Sequence, residues 1–231
     1  MAKEYTVKLL RKEKVAKNVW LFVFEKPEGY IFTPGQYHTF TLSLPNGKTD
    51  WRDMTITSSP IHNELWLVTK IREEPSLFKQ MLLHLPIGSS IKLEGPSGGF
   101  TIREERPHVF LAGGIGVNVF HSILMDAAER DAQIPMILIA SFRTKEDILF
   151  YEALRKIGNK KRKIIYTLTK ENWAGEKGRI SEDLIKKCIQ DVTAPIFMIA
   201  GGQEFVDAMN ELLIRVGVSQ ENIRIDYFSG Y

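Results

Sequence analysis

The sequence predicts two domains, an N-terminal six-stranded antiparallel β-barrel and a C-terminal α/β domain built on a doubly wound parallel sheet. Three observations carry this. Up to about residue 102 the apolar residues fall in short β-branched or aromatic runs separated by turn signals. After Arg106-Pro107, strand-like apolar runs alternate with amphipathic stretches of helical period. Two glycine turns, Gly113-Gly114-Ile115-Gly116 and Gly201-Gly202, stand where a strand gives way to a helix. The change of grammar falls near residues 102–107, giving expected domains at 1–103 and 104–231.

In the first half, Tyr5–Leu10, Val19–Phe24, Gln36–Leu44, Met54–Thr57, Glu64–Ile71 and Ser90–Leu93 read as strands. Turn chemistry separates them: Lys-Pro-Glu-Gly at 26–29, Thr-Pro-Gly at 33–35, Pro-Asn-Gly at 45–47 and Gly-Pro-Ser-Gly-Gly at 95–99. Six strands at this spacing suggest a closed barrel. Leu77, Met81, Leu82 and Leu85 recur at spacings of three to four, so one helix interrupts the strands there.

In the second half the strands are His108–Ala112, Met136–Ser141, Lys163–Thr169, Ile196–Ala200 and Asn222–Tyr227, with helices at about 117–130, 146–157, 181–190 and 203–216. Thr144 with Asp147 resembles a capping box, and Ser181 followed by Glu182 and Asp183 marks a helix start. Parallel neighbours need crossover connections, so the alternation implies a parallel sheet with helices on both faces.

Composition narrows the function. A mix of 44% hydrophobic and 26% charged residues over 231 positions argues against disorder and against a disulfide scaffold. The single cysteine, Cys188, cannot supply the thiolates of an iron–sulfur cluster or a closed zinc site. The histidines His38, His62, His84, His108 and His121 have no metal-like spacing, so no metal is expected. With 31 basic against 28 acidic residues, nothing marks a nucleic-acid partner, and Lys160–Lys163 reads as a solvated turn. No window has the length of a membrane span, and a cytoplasmic location is the default expectation.

The first glycine turn lets backbone approach a pyrophosphate, and the helix behind it offers unpaired N–H groups. In a doubly wound sheet its strand and the one before Gly201-Gly202 flank the reversal of strand order, so both turns are expected at one crevice. After the second strand, Arg143 and Lys145 favour a 2′-phosphate, and so NADP over NAD. In the barrel half, Trp51-Arg52-Asp53-Met54-Thr55 sets an arginine before a hydroxyl residue. The two are expected on one strand face, the first to grip a phosphate and the second to bond a ring nitrogen.

In order along the chain, Pro34-Gly35-Gln36-Tyr37, Arg52-Asp53-Met54-Thr55, Gly95-Pro96, Ala112-Gly113-Gly114-Ile115-Gly116, Ala200-Gly201-Gly202 and Arg224-Ile225-Asp226-Tyr227-Phe228 resemble motifs of the ferredoxin–NADP reductase family. The resemblance covers nearly the whole chain. It implies a flavin-binding barrel followed by an NAD(P)-binding domain, with FAD as cofactor and NAD(P)H as donor. By it, Arg52 pairs with a flavin phosphate and Thr55 lies near flavin N5. Met54, Thr69 and Ile71 flank the cofactor, and Ser76 contacts phosphate at a helix start. Gly113, Gly114, Gly116, Val117, Gly201 and Gly202 line the nicotinamide nucleotide site together with Arg143. Asp226 is the acidic residue of the catalytic centre beside Thr55, and Phe228 or Tyr231 stacks on the flavin ring.

Three motifs depart from the family: Met54 stands for its tyrosine, Ala200 for its cysteine and Asn118-Val119 for its Thr-Pro. The implied activity is hydride transfer from NAD(P)H to FAD, then electron transfer to a separate acceptor. That acceptor is an acidic iron–sulfur protein such as ferredoxin, a flavodoxin, another cluster-bearing partner or a small oxidant. Met54 and Ala200 keep a non-catalytic flavin- or nucleotide-binding subunit open. A flavin reductase that uses flavin as a substrate is also open.

Overall fold

The computed structural model describes residues 3–44 and 47–228, and the chain divides after Ile102 into two compact units. In the first, β1 (Lys3–Ala16), β2 (Val19–Glu25), β3 (Tyr37–Ser43), β4 (Thr49–Thr55), β5 (Glu64–Lys70) and β6 (Ser90–Ser97) pair antiparallel in the order β4-β3-β6-β1-β2-β5. At 14 residues, β1 serves two neighbours, Lys3–Lys8 pairing with β6 and Leu9–Ala16 with β2. Register shifts between Leu9 and Arg11 and between Lys14 and Ala16 bend it around the core. The sheet edges meet where Thr57 N–H donates to Trp66 O at 2.8 Å and Ser58 Oγ to Glu64 O at 3.0 Å. The sheet therefore curls into a barrel with a seam between β4 and β5. Phe22, Phe24, Phe40, Leu65, Leu93 and Ile56 fill it, and helix α1 (Leu77–His84) packs Phe78 and Leu82 against them.

Two expectations change here. The fourth strand is Thr49–Thr55 rather than 54–57, because its seven pairs with β3 are set by backbone bonds while polar Asp50, Arg52 and Asp53 mask its alternation. Ile56 and Thr57 have already left β3 to reach β5. In α1, Leu77 is exposed and the buried positions are Phe78, Lys79 and Leu82, so the helix is turned relative to the apolar pattern.

In the second unit, β7 (His108–Gly113), β8 (Met136–Phe142), β9 (Arg162–Leu168), β10 (Glu176–Lys177), β11 (Ile196–Gly201) and β12 (Ile223–Tyr227) form one sheet, ordered β10-β9-β8-β7-β11-β12 with every pair parallel. Strand order reverses at β7 and β11. The helices are α2 (Val117–Glu129), α3 (Tyr151–Ile157), α4 (Glu182–Cys188) and α5 (Gln203–Arg215). One helix expected at 146–157 is instead a 3₁₀ turn at Lys145–Asp147 followed by α3. Ile148 is extended and Phe150 takes a left-handed φ of 58°, which breaks the helical run. The capping chemistry survives, with Thr144 N–H donating to Asp147 Oδ2 at 3.1 Å. The two-residue β10 has no sequence signal, since Glu176-Lys177 joins the sheet by backbone alone.

Candidate functional site

In the first unit the chemistry gathers around β4 and the start of α1. The strand alternates, placing Asp50, Arg52 and Met54 on one face and Asp53 and Thr55 on the other. Arg52 and Thr55 are three residues apart and so point to opposite faces, which corrects the expectation that they share one. Arg52 lies over the Phe78 ring, 5.3 Å from guanidinium carbon to centroid, and Nη1 donates to Asp50 Oδ1 at 2.5 Å. That stacking ties β4 to α1.

Ser76 stands at the N-cap of α1, yet its side chain makes no capping bond and its buried Oγ has no hydrogen-bond partner. Lys79, one turn further, is only 7% exposed, and burial, then Arg72, then Arg52 push its pKa down to about 8. Sequence reasoning missed Lys79, because a lysine in a short amphipathic helix reads as solvent-facing. An orphaned hydroxyl, a helix start and a cluster of three cations, Arg52 paired with Asp50, fit a phosphorylated group. The residues present thus suit the phosphate end of a flavin nucleotide, with Arg52 and Ser76 placed to hold it.

The seam of the barrel carries the other expected contacts. Met54 and the buried Thr55 lie on the β4 lip, with Thr69, also buried, and Ile71 on the β5 lip. Met54 packs partly into the core, opposite His38 of β3. His38 itself is fully buried between Tyr30 and Phe32, and burial drives its pKa down to about 3, so it is a neutral core residue.

In the second unit the two glycine turns meet. A Cβ on Gly116 would lie 2.2 Å from Ala200 O and 2.8 Å from Gly201 N, so the first turn rests directly on the peptide of the second. Phe205, in the first turn of α5, covers both: a Cβ on Gly113 would lie 2.5 Å from its ring, and one on Gly201 2.9 Å. Phe205 was not among the expected residues, although an aromatic three positions beyond a glycine turn is the kind of signal that could have found it. Gly114 at φ 53° and Gly202 have open space where a Cβ would stand. Val117 is fully buried as the first residue of α2, so Asn118-Val119 leaves that helix start intact.

The edge strand β12 delivers two more residues to this place. Asp226 pairs with Ala200, and Phe228 N–H donates to Gly201 O at 2.8 Å. Burial alone raises the Asp226 carboxyl to about 6. Tyr231 lies outside the described residues. Beyond β8, Arg143 is exposed, whereas Lys145 is engaged with Glu171, both Nζ to Oε1 at 3.3 Å and backbone N–H to Oε2 at 2.8 Å. Of the two expected cations, Arg143 alone is left for a 2′-phosphate. Cys188 ends α4, half-buried, and burial raises its thiol pKa, so it is a poor nucleophile.

The Asp226 shift fixes a sign. A carboxyl whose folded pKa exceeds its unfolded value contributes stability that is full below about pH 4 and is lost as pH rises through about 6. Asp226→Asn is expected to stabilise the protein at pH 7.5 by about 2 kcal/mol and to leave it unchanged at pH 3.5. Thermal melts at the two pH values check this. Equal melting temperatures for variant and wild type at pH 7.5 would show the carboxylate to be well solvated.

Residues 6–102 match the family described as the oxidoreductase FAD-binding domain, and residues 110–211 the oxidoreductase NAD-binding domain. The anthranilate 1,2-dioxygenase electron transfer component of Acinetobacter baylyi is 27% identical over 203 residues, covering 85% of this chain and 58% of that protein. The glycine betaine monooxygenase reductase subunit of Chromohalobacter salexigens is 24% identical over 93% of this chain and 62% of its own. The chain therefore spans about three fifths of those relatives. Ferredoxin–NADP reductase B of Sorangium cellulosum, 24% identical, is covered to 89%, as is this chain. Among solved structures, a ferredoxin NADP+ reductase from Neisseria gonorrhoeae with bound FAD and NADP superposes with a TM-score of 0.86 at 21% identity, over 100% of both chains.

Proposed function

This chain belongs to the ferredoxin–NADP reductase-like family of FAD- and NAD-binding oxidoreductases, and on that premise we propose that it is a flavoprotein reductase working between NAD(P)H and a separate electron acceptor. One observation carries the reading. A single chain joins a cation-lined, orphan-hydroxyl cradle at α1 to interlocked glycine turns at the strand reversal of a parallel sheet. The first suits the phosphates of FAD and the second the pyrophosphate of a nicotinamide nucleotide. The chemistry that FAD supplies when bound is acceptance of a hydride from the nicotinamide and release of the electrons onward.

The protein's own groups bind and orient. Arg52, released from Asp50 or shared with it, and Ser76 grip the flavin phosphate, while Met54, Thr69 and Ile71 bound the flavin. Thr55 presents its hydroxyl as a hydrogen-bond donor at the end of β4. Gly113, Gly116 and Gly201 let the two turns and Phe205 pack against one another, while Gly114 and Gly202 leave open space for the nucleotide and Val117 starts the helix behind them. Phe228 is held by its backbone N–H to Gly201 O, beside the second glycine turn. Asp226, with its pKa near 6, can hold or release a proton at its carboxylate oxygen close to neutral pH.

Arg143 favours NADPH as donor. The acceptor is a partner protein of the kind named for the relatives, an oxygenase component or a ferredoxin.

An absorbance spectrum of the purified protein, before and after anaerobic NADPH or NADH, tests this. A flavin spectrum that bleaches with NADPH is expected, and Arg143→Ala should weaken NADPH about tenfold while leaving NADH unchanged. A bound flavin that neither nucleotide reduces would favour the non-catalytic binder to which Met54 and Ala200 point. A colourless protein active only with added flavin would make flavin the substrate.

A further inference from the structure

Lys79 is a buried ammonium whose charged neighbours among the described residues are both cations. It lies on the inward face of α1, Arg52 approaches it from β4 and Arg72 from the segment after β5, and both act on it with like charge. Among the described residues, Asp50 is bonded to Arg52 and not to Lys79. Burying an uncompensated charge beside two others is costly, and a chain folds around such a cluster when an anion completes it. The orphaned Oγ of Ser76, three residues earlier at the start of the same helix, points to the same missing partner.

From this geometry we infer that Lys79 is a direct phosphate-binding residue of the α1 cradle and that it makes anion capture there proton-linked. The inference rests on the flavin reading for the identity of the anion and on Lys79 and its neighbours for the site. With the cradle empty, desolvation and the two arginines hold the ammonium near the edge of deprotonation. A phosphate in contact favours the charged form. Above about pH 8 the site therefore takes up a proton as it binds, and affinity falls as pH rises. Below that pH the ammonium is already charged and affinity is level.

The test compares wild type, Lys79→Met and Lys79→Arg as apo proteins, titrated with FAD and with riboflavin, which has the same ring and no phosphate. From pH 7 to 9.5, wild-type affinity for FAD should fall above pH 8 while riboflavin binding follows the ring alone. At pH 7, Lys79→Met should bind FAD about 10- to 100-fold more weakly, with a flat profile, and riboflavin as before. Lys79→Arg should keep most of the FAD affinity without the pH step. Thermal melting of apo Lys79→Met at pH 7 should be equal to or above wild type, since like-charge repulsion is removed.

An amine-directed acetylation assay, read at Lys79 by mass spectrometry, separates the two layers. Protection by inorganic pyrophosphate in a protein that binds no FAD would overturn the flavin reading and uphold Lys79 as an anion site. FAD binding that is equal in wild type and Lys79→Met, with no protection by pyrophosphate, would overturn the role of Lys79 and leave the flavin reading standing.

Discussion

Gly116→Ala is expected to weaken pyridine-nucleotide binding by about 100-fold or more while the sheet stays folded. The backbone at Gly116 is helical, with φ −60°, so alanine brings no torsional strain there. The effect is purely one of contact. The new Cβ would stand 2.2 Å from Ala200 O and 2.5 Å from Ala200 C, and both belong to backbone that β7 and β12 hold on either side. No side chain can swing away, so the two turns must part, and the start of α2 moves with the first. Nucleotide binding at such a turn depends on placement of a few N–H groups within tenths of an ångström. Gly202→Ala is the control: its Cβ meets nothing within 4 Å, and its stability should stay within about 0.5 kcal/mol of wild type. Isothermal titration with NADP+ and thermal melts decide the matter. Gly116→Ala binding within about threefold of wild type would mean that the turns are not interlocked as described.

Gly35→Ala should cost the first unit about 3 kcal/mol or more, the largest stability effect expected in the protein. Two penalties coincide. Gly35 has φ +94°, which an L-residue adopts only with strain, and its Cβ would fall 2.0 Å from Phe100 O. The neighbour is again backbone, in the segment that leaves β6. Since a domain this size holds only about 5–10 kcal/mol in total, the melting transition should drop by about 10 °C or more. Gly47→Ala also sits at positive φ, +77°, but meets nothing within 4 Å, so it isolates the torsional part and should cost about 1 kcal/mol. If the two variants melt together, the contact with Phe100 contributes nothing.

Much of the architecture was legible because its elements carry strong periods. The run Ile196–Gly201 is buried at every residue, as a central parallel strand should be, and Val19–Phe24 reads as an all-apolar barrel strand. The convergence of the two glycine turns was readable from strand order alone. What escaped was whatever tertiary contact decides. β4 is a strand because β3 pairs with it, although its polar residues hide the alternation, and the same strand geometry separates Arg52 from Thr55. Phe150 breaks a helix that its neighbours' propensities would continue. Lys79 and Phe205 acquire their meaning only from what packs against them, two arginines in one case and two glycines in the other. A single sequence records neither.

The 14-residue β1 has a consequence for the order in which the molecule comes into being. Its second half finds β2 within a few residues, but Lys3–Lys8 must wait for Ser90–Gly95, nearly ninety positions later in synthesis. A hairpin of β1 and β2 can form early, and the barrel cannot close until β6 has emerged. That long-range pairing leaves the first unit with an open strand edge, exposed to aggregation, until β6 has emerged.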